Sequence, residues 1–463
     1  MVNFYVFDIA LLILFTLGVF IFLKTHKKNI KREGIIFMYR TKLGIKAINY
    51  VGNNFKKTLN ALKYVIIVVG LFLMGIMIWM LAQALAIYIF VPEITKIVKA
   101  PPVAPLIPYF PEIFGMTNYF PSFYFTYFII ALAIVAIVHE FSHGIYMKLF
   151  GIKIKSTGFV FLGPILGAFV EEEKTQFEKK KKLHQMSVLG AGVFANVIMA
   201  IIFYLIYALF FSVSFAPSGY IFNNYAATTI PIENISSIQQ EGNLYKITAL
   251  NSSFYLDENL ARQLNDTTLK NYNAYFDSPA FKSQIKGAIT QIDDVKIKTQ
   301  NDLRKFLENK NPKDEILLTT INANKIINTY NITLGEHPLN NSIPFLGVSS
   351  ANMNPNIIQK FTYNFMTVKN FNSDVNTSYS PIWNEKIVYF ILHLLWWIIL
   401  INFFVALFNM LPLGILDGGK FFYLAILSIT GSEKFAKSAY KFATYAILSI
   451  FILIMLFWAI RII

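Results

Sequence analysis

The sequence predicts a polytopic α-helical membrane protein with about six transmembrane helices. It also predicts an extracytoplasmic α+β domain inserted between the fourth and fifth of them. The chain has 463 residues, 55% of them hydrophobic, and several of its apolar runs exceed the 18 residues that span a bilayer. Lys and Arg gather in the short loops between these runs, as expected for cytoplasmic loops. Between residues 216 and 385, apolar residues alternate with Asn, Thr, Ser and Asp, which indicates strands.

The first half of the chain predicts four spans, at about residues 5–24, 64–91, 122–150 and 186–215. The basic loop 24–63 is expected in the cytoplasm, so the third span runs inward. Residues 1–95 are predicted to form an N-terminal pair of spans, and residues 122–215 a second pair at the core. The apolar stretch from Gly158 to Val170 is too short and too broken to span, which favours a membrane-associated β-hairpin or a re-entrant loop.

The second half predicts the outer domain, residues 216–385, and a last pair of spans within residues 386–463. The fifth span begins near Ile387, and the sixth covers about residues 436–462. An inner loop with Lys434 and Lys437 is expected between them. This topology predicts a multi-pass protein of the plasma membrane, with lipid as the surrounding phase.

Charge and cysteine content exclude several classes of function. The net charge is +15, but the basic residues occupy loops where topology accounts for them, so nucleic acid is not an expected partner. The chain has no cysteine, which excludes disulfides and thiolate metal sites. Any metal ion must therefore be bound by His, Asp or Glu.

A His-Glu-x-x-His pattern lies at the end of the third span. His139 and His143 stand four residues apart, so on a helix both imidazoles face one side and can bind one Zn²⁺. Glu140 between them can act as the general base of a hydrolase. The pattern follows sixteen mostly apolar residues, roughly 24 Å of a hydrocarbon core about 30 Å thick. The site is thus expected inside the membrane, nearer the cytoplasmic side.

Asp417 is the candidate for the third protein ligand that a catalytic zinc needs. A straight helix from Ile387 to Asp417 would be about 45 Å long, more than the bilayer thickness. Pro412 and Gly414 interrupt that helix, so the chain can turn and keep Asp417 at membrane depth. The alternative is that Asp417 caps the helix that begins near Gly418.

A third pattern, Ala-Gly-Val-Phe-Ala-Asn, ends at Asn196 in the fourth span. An Asn at this position can form a hydrogen bond between helices. It can also donate to a substrate carbonyl or a developing oxyanion. The residues alone favour neither role.

These patterns, in this order, resemble the site-2 protease family of intramembrane zinc metalloproteases. That family combines a His-Glu-x-x-His helix with an Asn-x-x-Pro…Leu-Asp-Gly element, present here from Asn409 through Pro412 to Gly418. The resemblance implies one zinc per chain, held by His139, His143 and Asp417, with Glu140 as general base.

The resemblance also places Asn196 near the bound peptide, and Asn409 is a second candidate for substrate or oxyanion binding. The expected activity is regulated intramembrane proteolysis, with transmembrane proteins as substrates. Many members carry a PDZ-type domain between the fourth and fifth spans. The segments Ser278–Phe281, Gly287–Asp293 and Asp302–Leu307 resemble the second half of such a domain, as a small loop, a strand pair and a helix. The following strand is expected at Ile316–Ile321.

Two other functions were weighed against proteolysis. A membrane metal transporter would also use intramembrane His and Asp, but it does not explain Glu140 between the two histidines, and no inverted repeat is evident. A catalytically inactive scaffold with a PDZ-like domain does not explain the full set of ligands.

Overall fold

The computed structural model describes residues 4–91, 101–103, 105–163, 165–249, 252–266, 268–322, 325–350, 356–370 and 373–462. The chain divides into two compact units. One contains the residues up to Phe210 and those from Tyr389 onward, and the other is Phe211–Val388. Residues 92–95, the end of the predicted N-terminal pair of spans, lie outside the described residues.

Within the described residues, six helices are long and apolar enough to cross a membrane, in agreement with the predicted number of spans. They are α1 (Phe4–Thr25), α3 (Lys56–Phe90), α5 (Phe125–Leu149), α7 (Lys182–Ser214), α12 (Glu385–Asn409) and α14 (Glu433–Ile462). Shorter helices lie between them: α2 (Ile45–Asn54), α4 (Phe110–Ile113), α6 (Lys174–Glu178) and α13 (Asp417–Thr430). The protein is thus a multi-pass membrane protein.

Two details differ from the sequence-based expectation. The second span begins at Lys56 rather than near residue 64, because basic and polar residues extend the helix before its apolar part. Lys434 and Lys437 lie in the first turns of α14 rather than in a loop, and Lys437 pairs with Glu433 one turn before it. Such a pair at i,i+4 supports a helical turn that apolar periodicity does not reveal.

The first unit also contains a four-stranded antiparallel sheet in the order β1-β2-β3-β4. The strands are β1 (Ile30–Glu33), β2 (Ile36–Thr41), β3 (Ile154–Leu162) and β4 (Ile165–Glu172). The stretch 158–170 is therefore a β-hairpin, the first of the two predicted alternatives. β1 and β2 lie in the basic segment 24–63, which was predicted to be a loop.

The core of the first unit joins helices from both ends of the chain. Ile66 of α3, Met147 of α5, Val193 of α7 and Phe421 of α13 are all buried in one apolar cluster. This packing brings α5, α7 and α13 together, and these are the helices that carry the predicted site.

The second unit is rich in strands and contains two larger antiparallel sheets. One has the order β15-β14-β12-β5-β19, with β13 paired to β12, and the other has the order β7-β11-β10-β9-β8. The strands are β5 (Phe215–Tyr220), β6 (Asn224–Tyr225), β7 (Ala227–Pro231), β8 (Ile235–Glu241), β9 (Leu244–Ala249), β10 (Ser252–Leu256), β11 (Asn271–Phe276), β12 (Ala288–Ile292), β13 (Val295–Lys296), β14 (Glu315–Ile321), β15 (Ile327–Thr333), β16 (Gly335–His337), β17 (Asn340–Phe345), β18 (Val348–Ser349) and β19 (Thr377–Pro381). The helices are α8 (Glu258–Ala261), α9 (Pro279–Lys282), α10 (Gln300–Leu307) and α11 (Ile357–Met366).

Around the PDZ-like segment, the order of elements follows the expectation. The pair β12 and β13, the helix α10 and the strand β14 succeed one another in the predicted order. The short helix α9 lies where a small loop was expected, because Ser278 caps a helical turn there. Thr299 and Asp302 cap the start of α10 reciprocally, which explains why a helix begins at that polar sequence. The PDZ-type assignment itself stays a prediction.

Candidate metal centre

The two histidines lie one turn apart on α5. His139 and His143 are 7% and 6% exposed, and their ring centroids are 4.7 Å apart. Because buried polar groups need partners in an apolar surrounding, the contacts of these two rings indicate what the site is built to hold.

Asp417 completes the group from the first residue of α13. Its Oδ2 lies 3.1 Å from His139 Nε2 and 3.2 Å from His143 Nε2. One ligand atom from each of the three residues lies within 4.8 Å of the others, so the group can hold a metal ion. The N-cap position of α13 is Leu416, with no side-chain cap. The capping alternative for Asp417 is therefore not the arrangement that the structure shows.

A glycine pair lets α13 begin at this place. α12 ends at Asn409, and the chain turns before α13 starts at Asp417. A Cβ on Gly418 would collide with the backbone of Met410, and one on Gly419 would collide with the backbone of Leu413. The Asp-Gly-Gly sequence therefore allows the close approach of turn and helix that brings the carboxylate to the histidines.

Gly192 of α7 faces the same point from the other side. A Cβ at this residue would lie 2.6 Å from His143 Nε2 and 2.7 Å from His139 Nε2. Because glycine has no side chain, the space in front of the Nε2 atoms of His139 and His143 stays open. This space, with two imidazoles and one carboxylate around it, fits a zinc ion with its mixed N and O donors.

The other ring nitrogen of each histidine has a partner on α7. His143 Nδ1 lies 2.7 Å from the Val188 carbonyl oxygen, so Nδ1–H donates there and Nε2 keeps its lone pair for a metal. Asn196 is fully buried, and its amide lies 3.1 Å from His139 Nδ1. Its Oδ1 has no hydrogen-bond partner among the described residues. Since amide oxygen and nitrogen are assigned from the hydrogen-bond network, a turned amide lets Oδ1 accept from His139 Nδ1–H.

Asn196 thus makes the bond between helices that was one of its two predicted roles. Its role toward a substrate stays a prediction. Asn409 is the last residue of α12 and is half-buried, and its role also stays a prediction.

Glu140 contacts the β-sheet as well as standing next to the ligand group on α5. Its Oε2 accepts a hydrogen bond of 2.9 Å from the backbone N–H of Val170 in β4. The hairpin therefore fixes the carboxylate of the proposed base. Sequence reasoning did not assign a role to this backbone, because hydrogen bonds from a main chain leave no residue-type signal.

Asp8 of α1 binds the N-terminal end of α5, and sequence reasoning missed it as well. It is 1% exposed, and its carboxylate accepts from the backbone N–H groups of Phe125 and Thr126, at 2.6 and 2.9 Å. The hydroxyl groups of Tyr109 and Thr126 also donate to it. Asp8 therefore caps the N-terminus of α5 from another helix. An ionisable residue within an apolar run was the available signal.

Comparison with known proteins agrees with this geometry. The profile described as peptidase family M50 matches residues 127–455, most of the chain and all of the ligand group. The chain belongs to peptidase family M50. This is the site-2 protease family, so the resemblance found in the sequence is confirmed.

Membership makes the protein one of a family of zinc metalloproteases, and the His-His-Asp group supplies a metal site of the kind that an M50 peptidase requires. A relative in Methanocaldococcus jannaschii, the uncharacterized protein MJ0971, is 47% identical over 72 residues. That match covers 15% of this chain and 20% of the relative.

Proposed function

We propose that this M50 peptidase is an intramembrane protease that hydrolyses peptide bonds of transmembrane proteins, with one zinc held by His139, His143 and Asp417. The observation that carries the proposal is the convergence of these three side chains on the space left by Gly192. Two of them belong to a helix apolar enough to cross a membrane. A buried ionisable group at such a place is costly unless it has a function.

The reaction needs a base, and Glu140 takes that role. When bound, zinc polarises the scissile carbonyl and acidifies water. Glu140 accepts the proton of the attacking water and returns it to the leaving amine. The Val170 N–H holds the carboxylate by one oxygen, which leaves the other oxygen for the proton. Val188 and Asn196 orient the imidazoles from behind.

Two further roles belong to the proposal. Asn409 binds the substrate backbone or the developing oxyanion, because it stands at the helix end that leads into Asp417. Asn196 lies near the bound peptide, and an amide that accepts from His139 Nδ1–H keeps its NH₂ group to donate to the substrate carbonyl or the developing oxyanion.

The proposed setting is the plasma membrane, with the metal site toward the cytoplasm and residues 216–385 outside. The lysines at 179–182 and the basic segment 24–63 support this orientation. The second unit then acts as a PDZ-like domain that selects or excludes substrates. The succession from α9 to β14 supports this role.

Metal analysis combined with cleavage of a panel of single-span substrates tests the proposal. The wild-type protein should contain about one zinc and cut at least one substrate. Glu140→Gln should retain zinc and lose about 100-fold or more of the cleavage rate, the usual contribution of a general base. Asp417→Asn should lose zinc as well as activity.

Thermal unfolding serves as the control, since Glu140→Gln should unfold near the wild-type temperature. Substantial cleavage by zinc-loaded Glu140→Gln would contradict the assignment of the base. Zinc flux in proteoliposomes without any peptide cleavage would instead identify a transporter.

A further inference from the structure

A small cavity lies beside Glu140, between α5 and the four-stranded sheet. Its volume is about 110 Å³. Ile137, Glu140 and Phe141 form its helical wall, and their spacing places all three on one face of α5. β2, β3 and β4 supply the opposite wall. The histidines lie on the neighbouring face of the same helix, so Glu140 stands at the boundary between the cavity and the ligand group.

Apolar side chains form most of the cavity wall. Its walls include Ile137, Phe141, Phe159, Ala168 and Phe169. The two threonines at its edge have backbone partners already. Thr157 Oγ1 donates to the Leu43 carbonyl at 2.7 Å, and Thr41 Oγ1 accepts from the Leu43 N–H at 3.1 Å. An apolar group therefore fits this space better than a polar one.

The cavity has a buried floor and an exposed rim. Thr157, Gly158 and Val170 are buried, whereas Leu43 is 67% exposed and Ile137 is 44% exposed. A group can therefore enter past Leu43 and Ile137 without unfolding the sheet. A ring of Phe169 covers Gly158, since a Cβ at that glycine would lie 2.7 Å from the ring, and this contact limits the depth.

We propose that this cavity is a specificity pocket, which accepts one aliphatic side chain of the substrate next to the bond that is cut. The inference rests on the proposed protease function. The pocket lies next to the cleaved bond because Glu140, which acts as the base, also lines the pocket. The size follows from the volume, because an apolar cavity of about 150 Å³ holds one benzene. A pocket of about 110 Å³ thus takes Val, Leu, Ile or Met and excludes aromatic rings.

The first experiment uses a single-span substrate that the wild-type protein cleaves at a mapped bond. Each residue flanking that bond is changed in turn to Ala, Leu and Phe. One position should prefer Leu over both Ala and Phe by about tenfold or more, the discrimination that an apolar pocket achieves for a small change in side-chain size. Equal rates for the three residues at every position would overturn the proposal.

Two variants then change the pocket in opposite directions. Ala168→Leu fills it and should shift the preference at that position from Leu to Ala. Leu43→Ala widens the rim and should admit Phe. Leu162→Ala is the matched control, because Leu162 lies in the same sheet, is 40% exposed and is not part of the pocket wall. It should keep the wild-type preference.

Leu43→Ala decides the matter even if Ala168→Leu fails to fold, since an exposed side chain contributes little to folding. If an active Leu43→Ala protein kept the wild-type preference among Ala, Leu and Phe, the proposed pocket would be contradicted, while the protease function would still stand. Failure of the protease function itself is recognised earlier, as absence of zinc-dependent cleavage by the wild-type protein.

Discussion

Two buried polar side chains, His139 in the first compact unit and Thr320 in the second, have different kinds of partner. In the first compact unit, called the membrane unit below, His139 contacts Asp417 and Asn196, which belong to two other helices. In the second unit, by contrast, Thr320 Oγ1 binds backbone, since it donates to the Lys286 carbonyl at 2.7 Å. Ser278 likewise caps α9. Polar substitutions near the metal centre of the first unit should therefore alter metal binding, whereas polar substitutions in the second unit should alter local stability.

The largest effect is expected where the membrane unit needs the absence of a side chain. Gly192→Ala would place a methyl group 2.6 Å from His143 Nε2, within the space that a zinc ion requires. We expect the zinc affinity, measured by competition with a chelator, to fall at least about 100-fold, the upper range for changes around metal ligands. Cleavage should fall with it.

Gly75→Ala is the matched control for this substitution. Gly75 lies in the membrane-spanning helix α3, and a Cβ there would meet nothing within 4 Å. Because Ala is the better helix former by about 0.5–1 kcal/mol, stability should hold or rise and zinc affinity should not change. Wild-type zinc affinity in Gly192→Ala would show that metal binding does not require the space beside the two histidines to stay free of a side chain.

Asp8 lies in the membrane unit as well, but two of its four hydrogen bonds come from backbone N–H groups. Asp8→Asn replaces a carboxylate that accepts four hydrogen bonds with an amide whose NH₂ would face donors. Hydrogen bonds to a charged group are worth about 1.5–3 kcal/mol, so the free energy of unfolding should fall by about 2–4 kcal/mol. Zinc affinity should change far less than in Gly192→Ala.

Thermal unfolding of the zinc-loaded protein measures this effect. Thr16→Val on the same helix is the control, since Thr16 is exposed and bonds only to the Leu12 carbonyl. It should shift stability by about 0.5 kcal/mol or less. An Asp8→Asn protein as stable as the wild type would show that the cap on α5 is not needed.

The sequence predicted the membrane unit well where a residue type carries the signal. Long apolar runs located the spans, and His139, His143 and Asp417 could be selected because few side chains bind zinc. Gly192 could not be selected, since its contribution is an empty space next to side chains distant in sequence. β1 was not predicted, because its residues are mostly charged and exposed and apolar alternation is therefore weak there.

The second unit was predictable only in part. The segment from Ser278 to Ile321 has local signals, namely a helix cap, a turn and alternating strands. Its strands and the helix α10 lie in the expected order, whereas α9 replaces the expected loop. The order β7-β11-β10-β9-β8 brings β7 beside β11. Such pairing between distant strands depends on tertiary packing rather than on local pattern.

The smallest effect is expected in the second unit, at Asp293. Its Oδ1 accepts from the Leu317 N–H at 2.9 Å, and Lys310 pairs with its Oδ2 at 3.0 Å. The Leu317 N–H, followed by the Lys310 ammonium, holds the pKa of Asp293 below its usual range. A carboxyl whose pKa is lowered by folding stabilises the folded state above the unfolded pKa, near 4. That contribution disappears as the pH falls through the lowered folded pKa.

Asp293→Asn should therefore weaken β12 and β14 near pH 7 by about 0.5–1 kcal/mol, since the side chain is one-third exposed and solvent screens the ion pair. Asn tolerates the positive φ of 49° at this turn, so the backbone should not change. Hydrogen exchange in the full-length protein measures the local opening, and the difference from the wild type should shrink at acid pH. The neighbouring exposed carboxylate provides the control, Asp294→Asn, which should leave exchange unchanged. A change in zinc affinity in Asp293→Asn would contradict the separation of roles, because it would couple a polar contact of the second unit to the metal centre.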